Sequence, residues 1–249
     1  MGSERPLAGK VALITGAGSG IGQGIAIGYA AAGASISCAG RTLATLQETV
    51  RTIETQGGQA VAVQADVTEV EQVGHVMDET VGCLGGLDIL VINAGGLRGR
   101  GMTEEYDPEL WRQTIDVNLN GAYYCAHKAI PYLRARGGGK IITIGSGAGH
   151  TGIPGLVAYD CAKAGLWMLV RMLAQELMPY NITVNELIPG PVGEDTRLPK
   201  NTPQPEVWSD NEWIKSPEDV VPLALFLATQ PDAGPTGRSF SLMRRGGSS

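Results

Sequence analysis

Cysteine is scarce in this sequence, and its few cysteines are not arranged as a disulfide or metal framework. Cys38, Cys83, Cys125 and Cys161 show no Cys-x-x-Cys spacing and no nearby group of histidines. Neither stabilising disulfides nor a zinc site is therefore expected, and we interpret the four residues as reduced thiols. We predict no metal cofactor.

Long apolar runs and an excess of basic residues are missing as well. No run approaches the roughly 18 apolar residues of a membrane-spanning helix, and residues 1–5 do not form an apolar signal segment. The formal net charge of -6, with basic residues scattered along the chain, argues against a nucleic-acid surface. We therefore expect a cytoplasmic protein with neither a membrane nor a nucleic-acid partner.

What the sequence does contain is an alternation of strand-like and helical segments. Apolar segments rich in β-formers occupy residues 11–15, 35–39, 60–64, 89–93, 141–144 and 182–185. Apolar residues with helical periodicity lie between them, as in 43–53 and 70–84. This alternation predicts an α/β fold, a doubly wound parallel sheet with helices on both faces, whose ligands bind at the carboxyl ends of the strands. Residues 1–249 are expected to form a single domain.

One long irregular segment, residues 190–215, is rich in proline and polar residues and contains Trp208 and Trp213. Loops of this length inside a compact domain are often binding loops, so we predict a substrate loop or lid there. The segment ends at the sequence Ser-Pro-Glu-Asp at 216–219, which has the N-cap, proline and acidic residues of a helix start.

A glycine-rich turn, TGAGSGIG at 15–22, follows the first strand directly and precedes a helical segment. Glycines in such a turn let the backbone approach a pyrophosphate, and the N-terminal amides of the next helix attract it. The residues predicted to bind a dinucleotide here are Gly16, Ser19, Gly20, Ile21 and Gly22. The alternative is an ordinary turn between a strand and a helix.

The end of the second strand bears on which dinucleotide binds. No acidic residue is present to bind the adenosine ribose 2′-hydroxyl, and Gly40 and Arg41 stand there instead. The planar guanidinium of Arg41 suits a 2′-phosphate, so NADP is the preferred cofactor; NAD is possible if Arg41 is only a solvated loop residue. Asp66 and Val67, after the third strand, are assigned to the border of the adenine site, although a carboxylate there is also common in turns.

Two Tyr-xxx-Lys sequences are candidates for a catalytic pair, Tyr124 with Lys128 and Tyr159 with Lys163. On a helix the ammonium shares a face with the phenol, lowers its pKa and makes it a usable proton donor. Ser146 directly follows a strand, and at a strand's carboxyl end it can hydrogen-bond a substrate oxygen. Tyr124 lies in an apolar helical stretch typical of packing, so Tyr159, Lys163 and Ser146 are the predicted catalytic residues.

Several motifs, taken in order, resemble the short-chain dehydrogenase/reductase family over residues 7–237. They are the turn at 15–22, Asn93-Ala94-Gly95, Asn118, Ser146, Tyr159 to Lys163, and Pro189-Gly190. The resemblance implies a Rossmann-type sheet of about seven strands. It also implies that Tyr159 is the general acid/base, that Lys163 binds the ribose, and that Ser146 orients the substrate.

Further roles follow from the same resemblance. Asn118 would hold a water in a proton relay, and its alternative is a helix cap or kink. Asn93, Ala94 and Gly95 would pass beneath the cofactor. Pro189, Gly190 and Val192 would contact the nicotinamide carboxamide, unless Pro189 and Gly190 form only a turn. The family is commonly tetrameric, so a homo-oligomer, tetramer or dimer, is expected.

The chain departs from the family pattern at four places. Ile92-Asn93 stand at the end of the fourth strand where many members have two asparagines. Gly145 stands before Ser146 where many members have a second serine. After Val192, a threonine often found two residues on is replaced by Glu194, with Thr196 displaced, which puts the carboxamide contacts in doubt. The tail from residue 236 lacks the usual Asp-Gly-Gly, so the pocket floor and the subunit contacts are expected to differ.

The sequence thus predicts an oxidoreductase that transfers a hydride between NADP(H) and a carbonyl or secondary alcohol substrate of the 3-oxoacyl, sugar or other ketone type. An NAD-linked alcohol dehydrogenase is the second reading. A dinucleotide-sensing protein without turnover is the third, and the presence of an acid/base set at Ser146, Tyr159, Lys163 and Asn118 argues against it. His150 is expected to contact the substrate or, preferably, to cap a turn.

Overall fold

The computed structural model describes residues 5–193 and 212–243, and its framework is one parallel sheet. Seven strands run in the order β3-β2-β1-β4-β5-β6-β7, and every neighbouring pair is parallel. The strands are β1 Val11–Thr15, β2 Ser35–Gly40, β3 Gln59–Gln64, β4 Ile89–Ile92, β5 Gly139–Ile144, β6 Ile182–Ile188 and β7 Ser239–Ser241. The predicted α/β sheet is confirmed, and β4 lies beside β1, so the strand order reverses between these two.

Helices connect the strands and cover both faces of the sheet. The α-helices are α1 Gly20–Ala31, α2 Leu43–Thr55, α3 Val70–Leu84, α4 Pro108–Ile115, α5 Gly121–Ala135, α6 Ala148–Thr151, α7 Val157–Leu177 and α8 Val221–Thr229. A π-helical turn, Asp116–Asn120, joins α4 to α5, and short 3-10 turns occur at Met178–Tyr180 and Pro217–Val220. The last of these carries the capping box expected from the Ser-Pro-Glu-Asp sequence, with Ser216 and Asp219 as its members.

Alternation along the strands produces two separate apolar cores. Ala12 and Ile14 of β1 pack against α1, α2 and α8, whereas Leu13 packs against α3, α5 and α7 on the other face. Both layers are needed because a central parallel strand is apolar on both sides. Strands and helices are thereby held rigidly enough to position loops at the carboxyl edge of the sheet.

Two further expectations concern the chemistry of the fold. The four cysteines are free, with Cys38 and Cys125 buried, and burial raises the pKa of both thiols to about 12. Within residues 5–193 and 212–243, no helix is long and apolar enough to cross a membrane.

Candidate active site

The glycine-rich turn is closed by side chains from two neighbouring strands. Thr15 Oγ1 accepts hydrogen bonds from the backbone amides of Asn93 and Ala94, each at 3.0 Å. Asn93 Nδ2 in turn donates to the carbonyl oxygens of Thr15 at 2.9 Å and Gly16 at 3.2 Å. A Cβ atom would lie 2.8 Å from this nitrogen at Gly16, where φ is +67°, and 2.4 Å from it at Gly22. The packing of the turn against Asn93 therefore requires glycine at both positions, and the approach of a pyrophosphate to this backbone stays a prediction.

The helix that follows the turn begins with amide groups available to an anion. Gly20 starts α1 with a φ of +55°, and Ser19 occupies the N-cap position in an extended conformation. No capping hydrogen bond from the Ser19 side chain is present among the described residues, and the first turn contains no acidic residue. Ile21 packs its side chain on the core and anchors this end of the helix. The arrangement suits a pyrophosphate group.

Arg41 lies at the end of β2, directly after Gly40, and is exposed. Its backbone carbonyl accepts a hydrogen bond from Gln64 Nε2 at 2.8 Å, which fixes the main chain there. Across the described ranges, its guanidinium has neither an ion-pair nor a hydrogen-bond partner. A cation in this position is available to a phosphate group.

Asp66 and Val67 follow β3 and have local structural roles. Asp66 Oδ1 accepts hydrogen bonds from the backbone amide and the hydroxyl of Thr68, at 3.0 and 2.9 Å, which is the geometry of an Asx turn. Val67 is buried, and a Cβ at Gly121 would lie 2.8 Å from its Cγ2 atom. The turn chemistry considered for Asp66 is thus present, and the adenine contact stays a prediction for both residues.

The predicted catalytic pair lies on the first turns of α7. Lys163 is 5% exposed, and its Nζ donates a hydrogen bond of 2.8 Å to the carbonyl oxygen of Ile144, the last residue of β5. The same nitrogen lies 5.7 Å from the centroid of the Tyr159 ring. The ammonium is therefore held between the strand end that leads to Ser146 and the tyrosine one helical turn earlier.

Ser146 and α6 form a tight turn that packs on this part of α7. Ser146 Oγ accepts a hydrogen bond from the Ala148 amide at 3.2 Å, and the Ser146 carbonyl accepts one from the Gly149 amide at 3.1 Å. A Cβ at Gly149 would lie 2.7 Å from the carbonyl carbon of Lys163, so only glycine permits this approach. The fold thus packs the turn that begins at Ser146 on the part of α7 that carries Lys163, and the catalytic roles of Ser146, Tyr159 and Lys163 stay predictions.

Asn118 is buried in the π-helical turn and binds the loop after β4. Its Nδ2 donates to the carbonyl oxygens of Gly96 and Thr114, both at 2.9 Å, and its Oδ1 accepts from the Gly96 amide at 3.0 Å. A Cβ at Gly95 would lie 2.6 Å from Oδ1, so this glycine is required for the approach. Asn118 thus lies in a local π-helical turn between α4 and α5, and the water of a proton relay stays a prediction.

The segment after β6 turns sharply at Gly190, where φ is +70°. Val192 forms a parallel bridge with Lys215, which brings together the two ends of the predicted lid. A Cβ at Gly190 would lie 2.9 Å from Cγ of Met243, and one at Gly147 would lie 2.4 Å from its Sδ atom. The tail therefore reaches the site and lies between the turns that follow β5 and β6.

Of the remaining residues singled out here, Pro189 lies in the described turn, whereas Glu194, Thr196 and Trp208 lie outside the described residues.

Asp160, next to Tyr159, was not singled out from the sequence. Its Oδ2 accepts a hydrogen bond from the Ile153 amide, and its buried Oδ1 has no hydrogen-bond partner within the described parts of the chain. Burial raises the pKa of this carboxyl, and the Ile153 bond opposes the rise only in part. The local signal was an acidic residue in the first turn of α7, directly after Tyr159.

Glu186 was also missed, and its buried carboxylate binds two more exposed side chains near Ser146. It is 0% exposed, and its carboxylate accepts from His150 Nε2 at 3.0 Å and from the Ser239 hydroxyl. The side chain of His150 therefore binds Glu186 and does not cap a turn. The available signal was a single glutamate inside the apolar strand β6.

Comparison with known proteins agrees with this geometry. The chain matches the family model described as short chain dehydrogenase over residues 10–206. It is 34% identical over 239 residues to a cyclohexanol dehydrogenase from Acinetobacter sp. (strain SE19), covering 93% of this chain and 92% of that protein. It is 33% identical to a 3-oxoacyl-[acyl-carrier-protein] reductase from a Synechocystis species, with coverages of 95% and 96%. A solved dehydrogenase/reductase from Sinorhizobium meliloti 1021 superposes with a TM-score of 0.87 at 34% identity, covering 96% of this chain and 95% of that chain.

Proposed function

Because this chain belongs to the short chain dehydrogenase family of oxidoreductases, we propose that it transfers a hydride between NADP(H) and a ketone or secondary alcohol. The observation that carries the proposal is the position of the Lys163 ammonium, 2.8 Å from the Ile144 carbonyl and 5.7 Å from the Tyr159 ring centroid. A buried ammonium beside a phenol, at a strand end bearing a serine, is suited to proton transfer at a substrate oxygen.

The residues present fit a dinucleotide. A Cβ at Gly20 would meet no atom within 4 Å, so the backbone at the start of α1 is open to close approach. The first amides of α1 would hold the pyrophosphate, and Lys163 would hold the nicotinamide ribose. When bound, the nicotinamide ring donates or accepts the hydride.

The protein's own groups would handle the proton. In reduction, Tyr159 donates its hydroxyl proton to the carbonyl oxygen, while Ser146 donates a hydrogen bond to the same oxygen and polarises the carbonyl. Lys163 stabilises the resulting phenolate by its positive charge. In oxidation the same groups act in reverse, with Tyr159 accepting the proton of the alcohol.

The choice of NADP rests on Arg41. Its exposed guanidinium has no partner in the described ranges, and the strand end that carries it has no acidic side chain to repel a 2′-phosphate. The names of two relatives, a cyclohexanol dehydrogenase and a 3-oxoacyl reductase, favour a ketone or secondary alcohol as substrate. Exposed Tyr123, Met168 and Met172 on α5 and α7 favour a homo-oligomer.

The test combines cofactor binding with one matched pair of variants. NADPH and NADH are titrated by nicotinamide fluorescence, and the protein is then assayed against ketones such as cyclohexanone with the tighter cofactor. Tyr159→Phe should lower kcat/KM by about 100- to 10,000-fold. Tyr124→Phe, which alters the other Tyr-xxx-Lys sequence, should leave turnover unchanged.

The outcomes separate the alternatives. Tighter binding of NADH supports the NAD-linked dehydrogenase. Binding of either cofactor with no turnover of any ketone or alcohol supports a dinucleotide sensor, and absence of binding overturns the proposal. Equal activity of Tyr159→Phe and the wild-type protein rejects Tyr159 as the acid/base.

A further inference from the structure

The buried carboxylate of Glu186 lies next to the turn that carries Ser146 and binds two more exposed side chains, those of His150 and Ser239. Glu186 on β6 is 0% exposed, and its carboxylate accepts hydrogen bonds from His150 Nε2, at 3.0 Å to Oε2 and 3.3 Å to Oε1. The hydroxyl of Ser239 on β7 donates to the same Oε2 atom. We refer to Glu186, His150 and Ser239 as the Glu186 cluster.

The carboxylate of Glu186 fills the space above Gly145. A Cβ at Gly145 would lie 1.9 Å from Oε1, 2.5 Å from Cδ and 2.5 Å from Cγ, so all three of its nearest atoms belong to Glu186. Gly145 is the residue immediately before Ser146. Gly145, which departs from the family pattern, therefore leaves the space that the side chain of Glu186 in β6 occupies.

His150 connects the cluster to the catalytic helix. Its amide donates to the Gly147 carbonyl at 3.0 Å, which places it in the turn begun by Ser146. Its ring packs edge-on against Trp167, with ring centroids 5.4 Å apart, and Trp167 lies one helical turn after Lys163. His150 thus contacts the Glu186 carboxylate, the Trp167 indole and the backbone of its own turn. The guanidinium of Arg171 lies over the ring of Trp167.

Burial of a carboxylate is unfavourable unless hydrogen bonds compensate it, and no apolar packing would require a glutamate here. A buried carboxylate that is satisfied by hydrogen bonds restricts the groups that donate to it to one arrangement. In this protein the Glu186 carboxylate thereby ties the turn that begins at Ser146, through His150, to β6 and to Ser239 of β7.

We propose that Glu186 and His150 are positioning residues that fix the Ser146 turn against β6 and α7, so that the serine hydroxyl is aimed at the substrate oxygen. The proposal rests on the proposed function, because Ser146 is its target. Displacing such a donor by a fraction of an ångström mainly weakens transition-state stabilisation, so kcat should fall while KM and cofactor affinity change little.

The steric fit provides a variant that removes the cluster and refills part of the space it leaves. Glu186→Ala combined with Gly145→Ala puts a methyl group where the carboxylate was, whereas Gly145→Ala alone forces a clash. The double variant should melt close to the wild type and bind NADPH within twofold of it, but should turn over about tenfold more slowly. Ser146→Ala serves as the reference for loss of the serine itself.

Two further variants separate positioning from packing. His150→Gln can still donate to Glu186 and should retain most of kcat, whereas His150→Phe keeps the ring contact with Trp167 and should lose about as much as the double variant. Adding His150→Phe to the double variant should then cost nothing further, because both changes break the same network.

Wild-type kcat in the double variant would overturn the proposal and would mean that the cluster only fills space. A parallel loss of NADPH binding, or full additivity with His150→Phe, would overturn it as well. If Ser146→Ala itself retains full turnover, the assigned role of Ser146 fails instead, so the two failures are distinguishable.

Discussion

Asp160 is a buried carboxylate that the fold leaves only partly satisfied. One oxygen receives the Ile153 amide and holds the loop before α7, and the other oxygen has no partner in the part of the chain that the structure describes. Its pKa is raised by burial. A carboxyl whose pKa is higher in the folded than in the unfolded state contributes stability at low pH, and this contribution is lost as the pH rises through the folded pKa.

Asp160→Asn should therefore increase the stability of the protein at neutral pH. The amide keeps an oxygen for Ile153 and carries no charge, so we expect the free energy of unfolding to rise by about 1 kcal/mol at pH 7.5 and to be nearly unchanged near pH 4. Urea denaturation at the two pH values measures this. Glu54→Gln, on an exposed face of α2, is the control and should change stability at neither pH. A loss of stability in Asp160→Asn at pH 7.5 would contradict the argument.

Arg41 tests cofactor preference at the level of one side chain. If its guanidinium binds a 2′-phosphate, Arg41→Ala should weaken NADPH binding by about 10- to 100-fold, the equivalent of a charge-assisted hydrogen bond, and leave NADH binding within twofold. Fluorescence titration at low salt gives both dissociation constants. Arg51→Ala removes another exposed arginine on α2 as the control. Equal weakening of both cofactors, or of neither, would mean that Arg41 is a solvated residue.

At the scale of elements, α6 packs on α7 so closely that there is no room for a side chain at Gly149. A Cβ at Gly149 would lie 2.7 Å from the carbonyl carbon and 2.8 Å from Cβ of Lys163, so neither backbone can yield without moving the helix. Gly149→Ala should separate the Ser146 turn from Lys163. We expect a loss of kcat of at least about tenfold and a destabilisation of about 1–3 kcal/mol.

The control for this substitution is Gly82→Ala in α3. No atom lies within 4 Å of a Cβ at Gly82, and alanine there should stabilise the helix by about 0.5–1 kcal/mol without affecting kcat. Steady-state kinetics and thermal melting of the two variants check the pair. Wild-type kcat in Gly149→Ala would show that the turn does not transmit its packing to Ser146.

An element could be predicted from the sequence where its residues show a local apolar pattern. The apolar runs predicted the first six strands, β1 with the same bounds and β6 three residues shorter than observed, because buried parallel strands read as continuous apolar segments. The π-helical turn at Asp116–Asn120 and the four-residue α6 carry no periodic signal. Both are determined by tertiary contacts, the former by the two hydrogen bonds between Asn118 and Gly96 and the latter by Gly149 against α7.

At the scale of the whole molecule, the parallel sheet gathers residues that are far apart in sequence. Thr15 and Asn93 bind each other although 78 positions separate them, because β1 and β4 are neighbours at the point where strand order reverses. The order of the motifs along the chain was enough to predict that the loops after β1 and β4 lie at the same edge of the sheet. The Glu186 cluster was not predictable in the same way, since a glutamate in β6, a histidine in α6 and a serine in β7 form no spacing pattern until the strands are aligned.

The opposite edge of the sheet holds an ionic junction that should control acid stability. Asp88 precedes β4, accepts the Val11 amide at 2.9 Å, and forms ion pairs with Arg136 at 2.9 Å and Lys10 at 3.4 Å. Burial pushes the pKa of Asp88 upward, but the bonds from Arg136 and Val11 and the charge of Lys10 outweigh it, and the pKa lies below its usual value.

A carboxyl with a lowered folded-state pKa stabilises the protein above the unfolded value of about 3.9, and this contribution is lost as the pH falls through the folded pKa. Asp88→Asn should thus cost about 1–2 kcal/mol at pH 7, and its difference from the wild type should close as the pH falls below about 4. Denaturation curves from pH 7 to pH 2.5 measure the gap.

Glu109→Gln is the matched control for Asp88. Glu109 pairs with Arg112 at 2.6 Å, closer than either ion pair of Asp88, yet the side chains of Glu109 and Arg112 are both exposed, so the loss of this pair should have no measurable effect. Turnover at pH 7 should be unaffected in both variants, since Asp88 lies at the amino edge of the sheet and the catalytic residues at the carboxyl edge. A difference for Asp88→Asn that persists unchanged at pH 2.5 would mean that the junction acts through shape and hydrogen bonding rather than through charge.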